Sequence, residues 1–284
     1  MSLEEKVAYW VNLGVTPYHP IYRFQEILAR LRKEDKIKDV ILATQHYPEV
    51  NFGNSNQYNE FSEEFLELVR KEKGEGYNHE DILSVLSGIG MGFSSTSRGG
   101  GVTVFAPGQL VYYPIVDYEK ITGRSLDVAG YKSKIYRIMF ETLSGLGVEG
   151  INLGSGTNLT TRRERRDVWI NRNGRSLKMG SKGIHFSGKV AYHGFALYID
   201  KEGVDNFWVV KPCGYAHDEV SVTSVEEFLG KRINQNDVHE QVKKAVGRHL
   251  NYSNIVELTK EEFFGYLQDN GVRGDLDSLR IQVS

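Results

Sequence analysis

The sequence predicts an α+β fold in which a mixed β-sheet is flanked by helices. Apolar residues recur at helical spacing in the first and last thirds of the chain. Between them, residues 150–210 carry short β-like runs separated by turn residues. Because no linker-like stretch separates these parts, we expect one domain over residues 1–284, with helices from residues 224–284 packed on it.

The segments before residue 150 alternate between the helical and the strand pattern. Residues 21–33 place Ile21, Phe24 and Leu28 on one helical face, and residues 39–44 form a buried strand that ends near His46. The Gly- and Ser-rich residues 88–101 exclude a long regular element. The other predicted elements are helices at residues 57–73, after a cap at Asn78 and at about 131–145, and strands at residues 102–105 and 110–113.

The second half is predicted to be strand-rich and then helical. Strand-like runs occur at residues 168–170, 176–179, 183–186, 189–192, 195–199 and 207–210, and helices are expected at about 224–230, 235–249 and 260–269.

Composition narrows the class of protein. The chain has 284 residues, 40% of them hydrophobic and 25% charged, as in ordinary globular proteins. A net charge of −2 gives no electrostatic reason to expect nucleic acid or an anionic membrane as partner. One cysteine excludes an internal disulfide and a multi-thiolate metal site. Because no signal-peptide pattern or membrane-length apolar run stands out, we expect a cytoplasmic protein.

Cys213 is the only cysteine and stands between Pro212 and Gly214, after an apolar run. Such a position is typical of a tight turn. A thiolate is the best nucleophile among the common side chains, so Cys213 is a candidate for covalent catalysis. A lone cysteine is also often a small buried apolar residue, and the cysteine by itself leaves both interpretations open.

A second conspicuous feature is Arg98-Gly99-Gly100-Gly101-Val102-Thr103. Consecutive glycines let a backbone approach a ligand closely, and the arginine could hold an anionic or carbonyl group. A flexible turn is the alternative. The segment lacks the Gly-Lys-Ser/Thr end of a P-loop and the glycine spacing of a dinucleotide fold.

Four short segments, taken in order, carry a family resemblance. They are His46-Tyr47-Pro48; Arg98 to Thr103 followed by Pro107-Gly108-Gln109-Leu110; Lys178 with Gly183-Ile184 and His193-Gly194-Phe195-Ala196-Leu197; and Pro212-Cys213-Gly214. From about residue 20 to 225 the chain resembles octanoyltransferases of the LipB type. The resemblance implies the fold of biotin and lipoate ligases and transferases, with the whole chain forming one octanoyl/lipoyl transferase domain.

The resemblance also implies a reaction. An octanoyl or lipoyl group would pass from acyl carrier protein to a lysine of a lipoyl domain, such as those of 2-oxoacid dehydrogenase E2 subunits or glycine cleavage H protein. Cys213 would carry the acyl group as a thioester, and Lys178 matches the family's catalytic lysine. A cation near the thiol favours the thiolate, and the same amine could later accept a proton from the incoming lysine. Since a thioester is already activated, no ATP, metal or other cofactor is expected.

The remaining matches imply an acyl pocket. Its expected wall residues are Arg98, Gly99, Gly100, Gly101, Val102, Thr103, Val104, Phe105, Ser181, Lys182, Gly183, Gly194, Phe195 and Ala196. Further candidates are Gly214, whose N–H could hold an oxyanion, and His46 and His193, for which a structural role is the alternative. The basic run at residues 162–166 is either a solvated loop or a docking patch for the acidic carrier protein.

The chain departs from the family pattern at several positions. Val104-Phe105-Ala106 replaces the usual Tyr-His-Gly, so the hydrogen bond made by that histidine is lost. Lys182 occupies a usually aliphatic position and places a second amine near Lys178, Gln45 replaces an acid, and the segment between Gly53 and Arg98 is longer than expected. These differences leave acyl chain length and acceptor open.

Two alternatives from other classes remain. An ATP-dependent lipoate–protein ligase would share the fold and a lysine but would not need Cys213. A binding module for the carrier or the lipoyl domain that has lost catalysis would bind without turnover. The sequence does not determine the oligomeric state.

Overall fold

The computed structural model describes residues 6–53, 60–152, 167–172, 175–211 and 221–272. The strands are β1 Val7–Thr16, β2 Asp39–His46, β3 Glu49–Phe52, β4 Gly92–Ser95, β5 Val102–Phe105, β6 Gln109–Asp117, β7 Ile151–Asn152, β8 Val168–Arg172, β9 Arg175–Ser187, β10 Val190–Tyr198, β11 Ser221–Val222 and β12 Asn254–Leu258. The helices are α1 Tyr18–Lys33, α2 Glu63–Lys73, α3 His79–Gly88, α4 Tyr118–Thr122, α5 Val128–Gly145, α6 Glu202–Asp205, α7 Val225–Leu229, α8 Gln235–Leu250 and α9 Lys260–Asp269.

A large mixed sheet runs in the order β12-β1-β2-β6-β10-β9-β8-β7, with β11 paired to β9. The strands β12, β1 and β2 are parallel, whereas the path from β2 to β7 is antiparallel. Every residue of β6 and β10 is buried, because helices or a second sheet cover both faces there.

The two faces of the sheet have separate apolar layers. On one face, α5 and α8 pack through Ile135, Met139 and Val242 against strand residues such as Leu110. The other face is covered by α1, α9 and a small sheet of order β4-β3-β5. This small sheet holds the glycine segment between β4 and β5 and thereby places it over the large sheet.

The mixed sheet with flanking helices is as predicted, and several helices begin at the residues that cap them. Asn78 and Ser224 each form a capping box, and α8 and α9 lie within one residue of the predicted bounds. None of the described helices combines the length and apolar character needed to cross a membrane.

Some predicted elements were wrong. Helix α2 begins at Glu63 rather than at residue 57, because Ser62 caps it and Phe61 forms a bridge with Val210. The predicted strand at residues 207–210 is a 3₁₀ turn over Asn206–Val209, with only Val210 in that bridge.

Long-range pairing accounts for the other differences. Two predicted pairs of short strands are the continuous strands β9 and β10, and β4 forms within the glycine-rich stretch. Strands β1 and β12 were not predicted; both complete the parallel edge of the large sheet.

Candidate active site

A cavity of about 340 Å³ lies between the large sheet and the glycine segment. Its lining residues are Tyr18, Glu60, Arg98, Gly99, Gly100, Gly101, Val102, Thr103, Phe105, Val111, Tyr113, Asp167, Lys178, Ser181, Lys182, Gly183, His193, Gly194, Phe195 and Ala196. The structure therefore brings segments from β5, β6, β9 and β10 together around one space.

Small residues on paired strands make room for the cavity. In the β9–β10 register, Ser181 lies opposite Ala196 and Gly183 opposite Gly194. A Cβ atom on Gly183 would lie 3.1 Å from the carbonyl oxygen of Gly99, so the glycine segment rests almost directly on the strand. This close approach is the physical reason for glycine on both sides.

Arg98 holds the glycine segment in place. Its Nη2 donates to the carbonyl oxygens of Asn51 at 2.5 Å and Gly101 at 2.6 Å, and its Nε donates to Asn51 Oδ1. A longer bond of 3.3 Å joins Nη1 to the Gly99 carbonyl. Burial lowers the pKa of Arg98. The Arg98 guanidinium thus joins the glycine segment to Asn51 of β3, and Arg98 also lines the cavity.

Lys178 forms a buried ion pair with a residue that was not predicted. Its Nζ lies 2.9 Å from Asp167 Oδ2, and both side chains are less than one-tenth exposed. The other carboxylate oxygen of Asp167 accepts the backbone N–H of Lys182 at 3.1 Å. Asp167 therefore connects the start of β8 to two positions of β9. Its place just before an apolar strand was the only sequence signal for it.

The second amine, Lys182, has a different environment from Lys178. Its Nζ lies 4.3 Å from the ring centroid of Tyr136 on α5, a cation–π contact. Both lysines line the cavity, but this contact directs the Lys182 ammonium toward α5.

His193 lines the cavity with an unusual backbone. Its φ of 57° is in the left-handed region, and its backbone N–H donates to Gln25 Oε1 at 3.0 Å. The ring stacks on Tyr22 and Tyr192, with centroid distances of 5.7 and 5.0 Å. Burial, followed by the charges of Arg98 and His185, lowers the pKa of His193 to about 3. The imidazole is therefore neutral at pH 7.

His46 lies behind the cavity wall and does not line it. Its Nε2 is 2.8 Å from the hydroxyl of Tyr113, which does line the cavity, and its Nδ1 is 3.1 Å from the Thr16 carbonyl oxygen. Burial lowers the pKa of His46 to about 4. Phe105 packs beside it at a centroid distance of 5.1 Å. His46 thus supports Tyr113.

Val104 also lies away from the cavity, although a wall position was expected. Its side chain is buried in the core and its carbonyl oxygen accepts from Gln109 Nε2 at 3.0 Å. Strand alternation explains this: Thr103 and Phe105 reach the cavity, and the intervening residue points to the other face.

Cys213, Gly214 and residues 162–166 lie outside the described residues. The described chain on each side of Cys213 contacts residues that line the cavity. Before it, the Lys211 N–H donates to the carbonyl oxygen of Glu60 at 2.7 Å. After it, Val222 pairs with Lys178, and the Thr223 N–H donates to the Lys178 carbonyl oxygen at 2.9 Å.

Residues 17–247 match the family model described as the lipoyl protein ligase A/B catalytic domain. The chain belongs to this family. It is 29% identical to an octanoyltransferase of Koribacter versatilis over 238 residues, which are 84% of this chain and 82% of the relative. It is 30% identical to an octanoyltransferase of Rubrobacter xylanophilus over 223 residues, 78% of this chain and 83% of the relative. The resemblance to octanoyltransferases and the assignment as a transferase enzyme are therefore confirmed.

A solved structure supports the fold. The bi-partite lipoate protein ligase of Thermoplasma acidophilum, studied with its E2 lipoyl domain, aligns with a TM-score of 0.54. The alignment covers 93% of this chain and 91% of that chain at 15% identity. The lipoate ligase-like fold expected from the sequence is confirmed.

Five lining residues of this family member were not predicted: Tyr18, Glu60, Val111, Tyr113 and Asp167. The Glu60 carboxylate accepts the backbone N–H of Val102 and so supports the end of the glycine segment. Across the described residues, no group of three or more His, Cys, Asp or Glu side chains is arranged to hold a metal ion.

Proposed function

We propose that this enzyme transfers an octanoyl group from acyl carrier protein to a lysine of a lipoyl domain through a thioester on Cys213. The observation that supports this most is the position of Lys178. It forms a buried ion pair at the cavity and is adjacent to the strand that follows the Cys213 segment. Two peptide units separate Cys213 from Lys211, a reach of roughly 7 Å.

In the first step, the Cys213 thiolate attacks the carbonyl carbon of the carrier thioester. The new C–S bond forms as the bond to the carrier sulfur breaks, and the Lys178 ammonium gives its proton to the departing thiolate. Because one thioester replaces another, the step needs no ATP. An ammonium near the thiol stabilises the attacking thiolate.

In the second step, the amine of the acceptor lysine attacks the Cys213 thioester. An amide forms, the Cys213 sulfur leaves as thiolate, and the Lys178 amine takes the proton that the acceptor nitrogen loses. Both groups return to their starting protonation states. Conversion of a thioester to an amide is downhill, so this step drives transfer.

The cavity suits an acyl chain. Gly183, Gly194 and Ala196 let a narrow chain lie against the strands, and Phe195 and Val111 add apolar wall. Acyl carrier protein as donor, the E2 or H-protein lipoyl domain as acceptor, and residues 162–166 as a docking patch remain parts of this proposal.

Intact-mass measurement after mixing with octanoyl carrier protein tests the proposal. We expect one octanoyl group on wild type and none on Cys213→Ser, which keeps the size of the side chain. Acyl transfer that requires ATP and persists in Cys213→Ser would indicate the ligase reaction instead. Binding of carrier or lipoyl domain without adduct or product would indicate a non-catalytic protein.

A further inference from the structure

Glu60 contacts two parts of the site at once. Its backbone carbonyl oxygen accepts the N–H of Lys211, two residues before Cys213, at 2.7 Å. Its carboxylate accepts the N–H of Val102 at the end of the glycine segment, and Glu60 also lines the cavity. One residue therefore joins the chain that leads to the proposed nucleophile and the loop that forms a wall of the acyl cavity.

The chain that follows Glu60 pairs with the chain that leads to the cysteine. Phe61 forms an antiparallel bridge with Val210, and the Ser62 N–H donates to the Val209 carbonyl oxygen at 3.0 Å. Ser62 also caps α2, so the first turn of this helix is fixed to the same segment. The Glu60 backbone is thus anchored independently of its side chain.

The carboxylate of Glu60 fixes one peptide unit of the glycine segment, which consists of the Gly101 carbonyl and the Val102 N–H. Arg98 Nη2 donates to this carbonyl at 2.6 Å, and the N–H donates to Glu60. A cation therefore holds one end of the peptide dipole and an anion the other, and charge-assisted bonds of this kind are stronger than neutral ones. Glycine by itself leaves the peptide plane free to rotate, because its backbone has wide conformational freedom.

The glycine at position 101 fits this arrangement. A Cβ atom on Gly101 would overlap the Glu60 carboxylate, so the side chain lies directly against the glycine backbone. Glu60 belongs to the long segment between Gly53 and Arg98 and to none of the motifs that carry the family resemblance. The contact is therefore a feature of this chain.

We propose that Glu60 is a positioning residue that sets the glycine wall of the acyl cavity relative to the chain that leads to Cys213; this inference rests on the proposed function. Without the carboxylate, the Val102 N–H loses its acceptor. The bond from Lys211 remains, because it is made to the backbone of residue 60. The step affected is then acylation by the octanoyl donor, which needs both the wall and the thiol, and not the intrinsic reactivity of the thiol.

The rate of Cys213 acylation by octanoyl carrier protein, followed by intact mass, tests this role. We expect the rate of Glu60→Ala to fall by about 100-fold, the loss that a displacement of about 1 Å causes at a reacting site. Glu60→Gln keeps a side-chain oxygen that accepts from the Val102 N–H, so it should lose less than about fivefold. The matched control, Glu64→Ala, removes an exposed carboxylate in the first turn of α2 and should acylate at the wild-type rate.

Two further measurements separate positioning from a general structural effect. Alkylation of Cys213 by iodoacetamide needs the thiol but not the acyl cavity, so its rate should stay within about twofold of wild type in all three variants. Amide hydrogen exchange at Val102 should become about tenfold faster in Glu60→Ala, whereas exchange at Lys211 should not change.

Equal acylation rates in Glu60→Ala and wild type would overturn the inference, and so would equal losses in Glu60→Ala and Glu60→Gln. Should Glu60→Ala fail to fold, Gly101→Ala displaces the same carboxylate, and acylation of that variant at the wild-type rate would also overturn it. Failure of the proposed function is read separately, as absence of an acyl adduct on wild-type Cys213. Hydrogen exchange then decides alone: unchanged exchange at Val102 in Glu60→Ala excludes the positioning role.

Discussion

Replacing Asp167 by asparagine tests how much the negative charge beside Lys178 contributes to stability and activity. The substitution keeps an acceptor for the Lys182 N–H but removes the carboxylate 2.9 Å from Lys178 Nζ. Breaking a buried ion pair from one side costs about 3 kcal/mol, because the remaining charge loses its compensation. We therefore expect the free energy of unfolding of Asp167→Asn to fall by about this amount.

Under the proposed mechanism activity should fall as well, because Asp167 would position the lysine that is proposed to transfer the proton. We expect the rate of Cys213 acylation in Asp167→Asn to drop by about 100-fold, equivalent to about 2.7 kcal/mol. Stopped reactions with octanoyl carrier protein, read by intact mass, give this rate, and urea unfolding gives the stability.

Asp205→Asn is the matched control. Its ion pair with Lys201 has a similar distance of 2.8 Å, but the two side chains are 51% and 70% exposed. Water screens such a pair, so the control should lose little stability. In a double-mutant cycle, Lys178→Met combined with Asp167→Asn should recover about 2 kcal/mol relative to additivity. If Asp167→Asn behaves like the control in both stability and acylation rate, Asp167 does not position Lys178.

Two further predictions concern stability. Burial lowers the pKa of His46 from 6.5 to about 4, so its contribution is complete above pH 6.5 and about 3 kcal/mol is lost as the pH falls through 4. Urea unfolding between pH 7 and pH 4 should show a smaller loss for His46→Gln, and an equal loss would contradict the assignment. Gly194→Ala should destabilise by about 2 kcal/mol because its Cβ would overlap the Tyr112 carbonyl oxygen. Gly265→Ala, with open space around a Cβ in α9, should stabilise by roughly 0.5–1 kcal/mol in thermal unfolding; equal stability of the two variants would refute the steric argument.

Local patterns in the sequence were enough for much of the fold. Helices α3 and α9 were placed correctly because the residues that determine such helices, their caps and their apolar positions, lie within about a dozen neighbouring residues. Arg98 and its glycines, Lys178 and the small residues of β9 and β10 were also recognised, since each belongs to a short motif. The structure gathers these motifs around one cavity.

Local sequence patterns did not predict which strands pair when those strands are far apart in the chain. Strand β1 pairs with β12 some 250 residues away, and β12 alone has no strong signal. The predicted breaks within β9 and β10 reflected glycines that the structure keeps inside continuous strands, where they allow close backbone approach.

The sequence by itself identified the candidate residues for catalysis: a glycine segment, a lysine and a lone cysteine, in the chain order typical of this family. Only the tertiary structure decided how Lys178 is held and that His193 is part of the cavity wall. Lys178 pairs with Asp167, which directly precedes the neighbouring strand β8, and His193 lines the cavity although neither ring nitrogen has a hydrogen-bond partner among the described residues. Both depend on contacts between strands, which local composition does not encode.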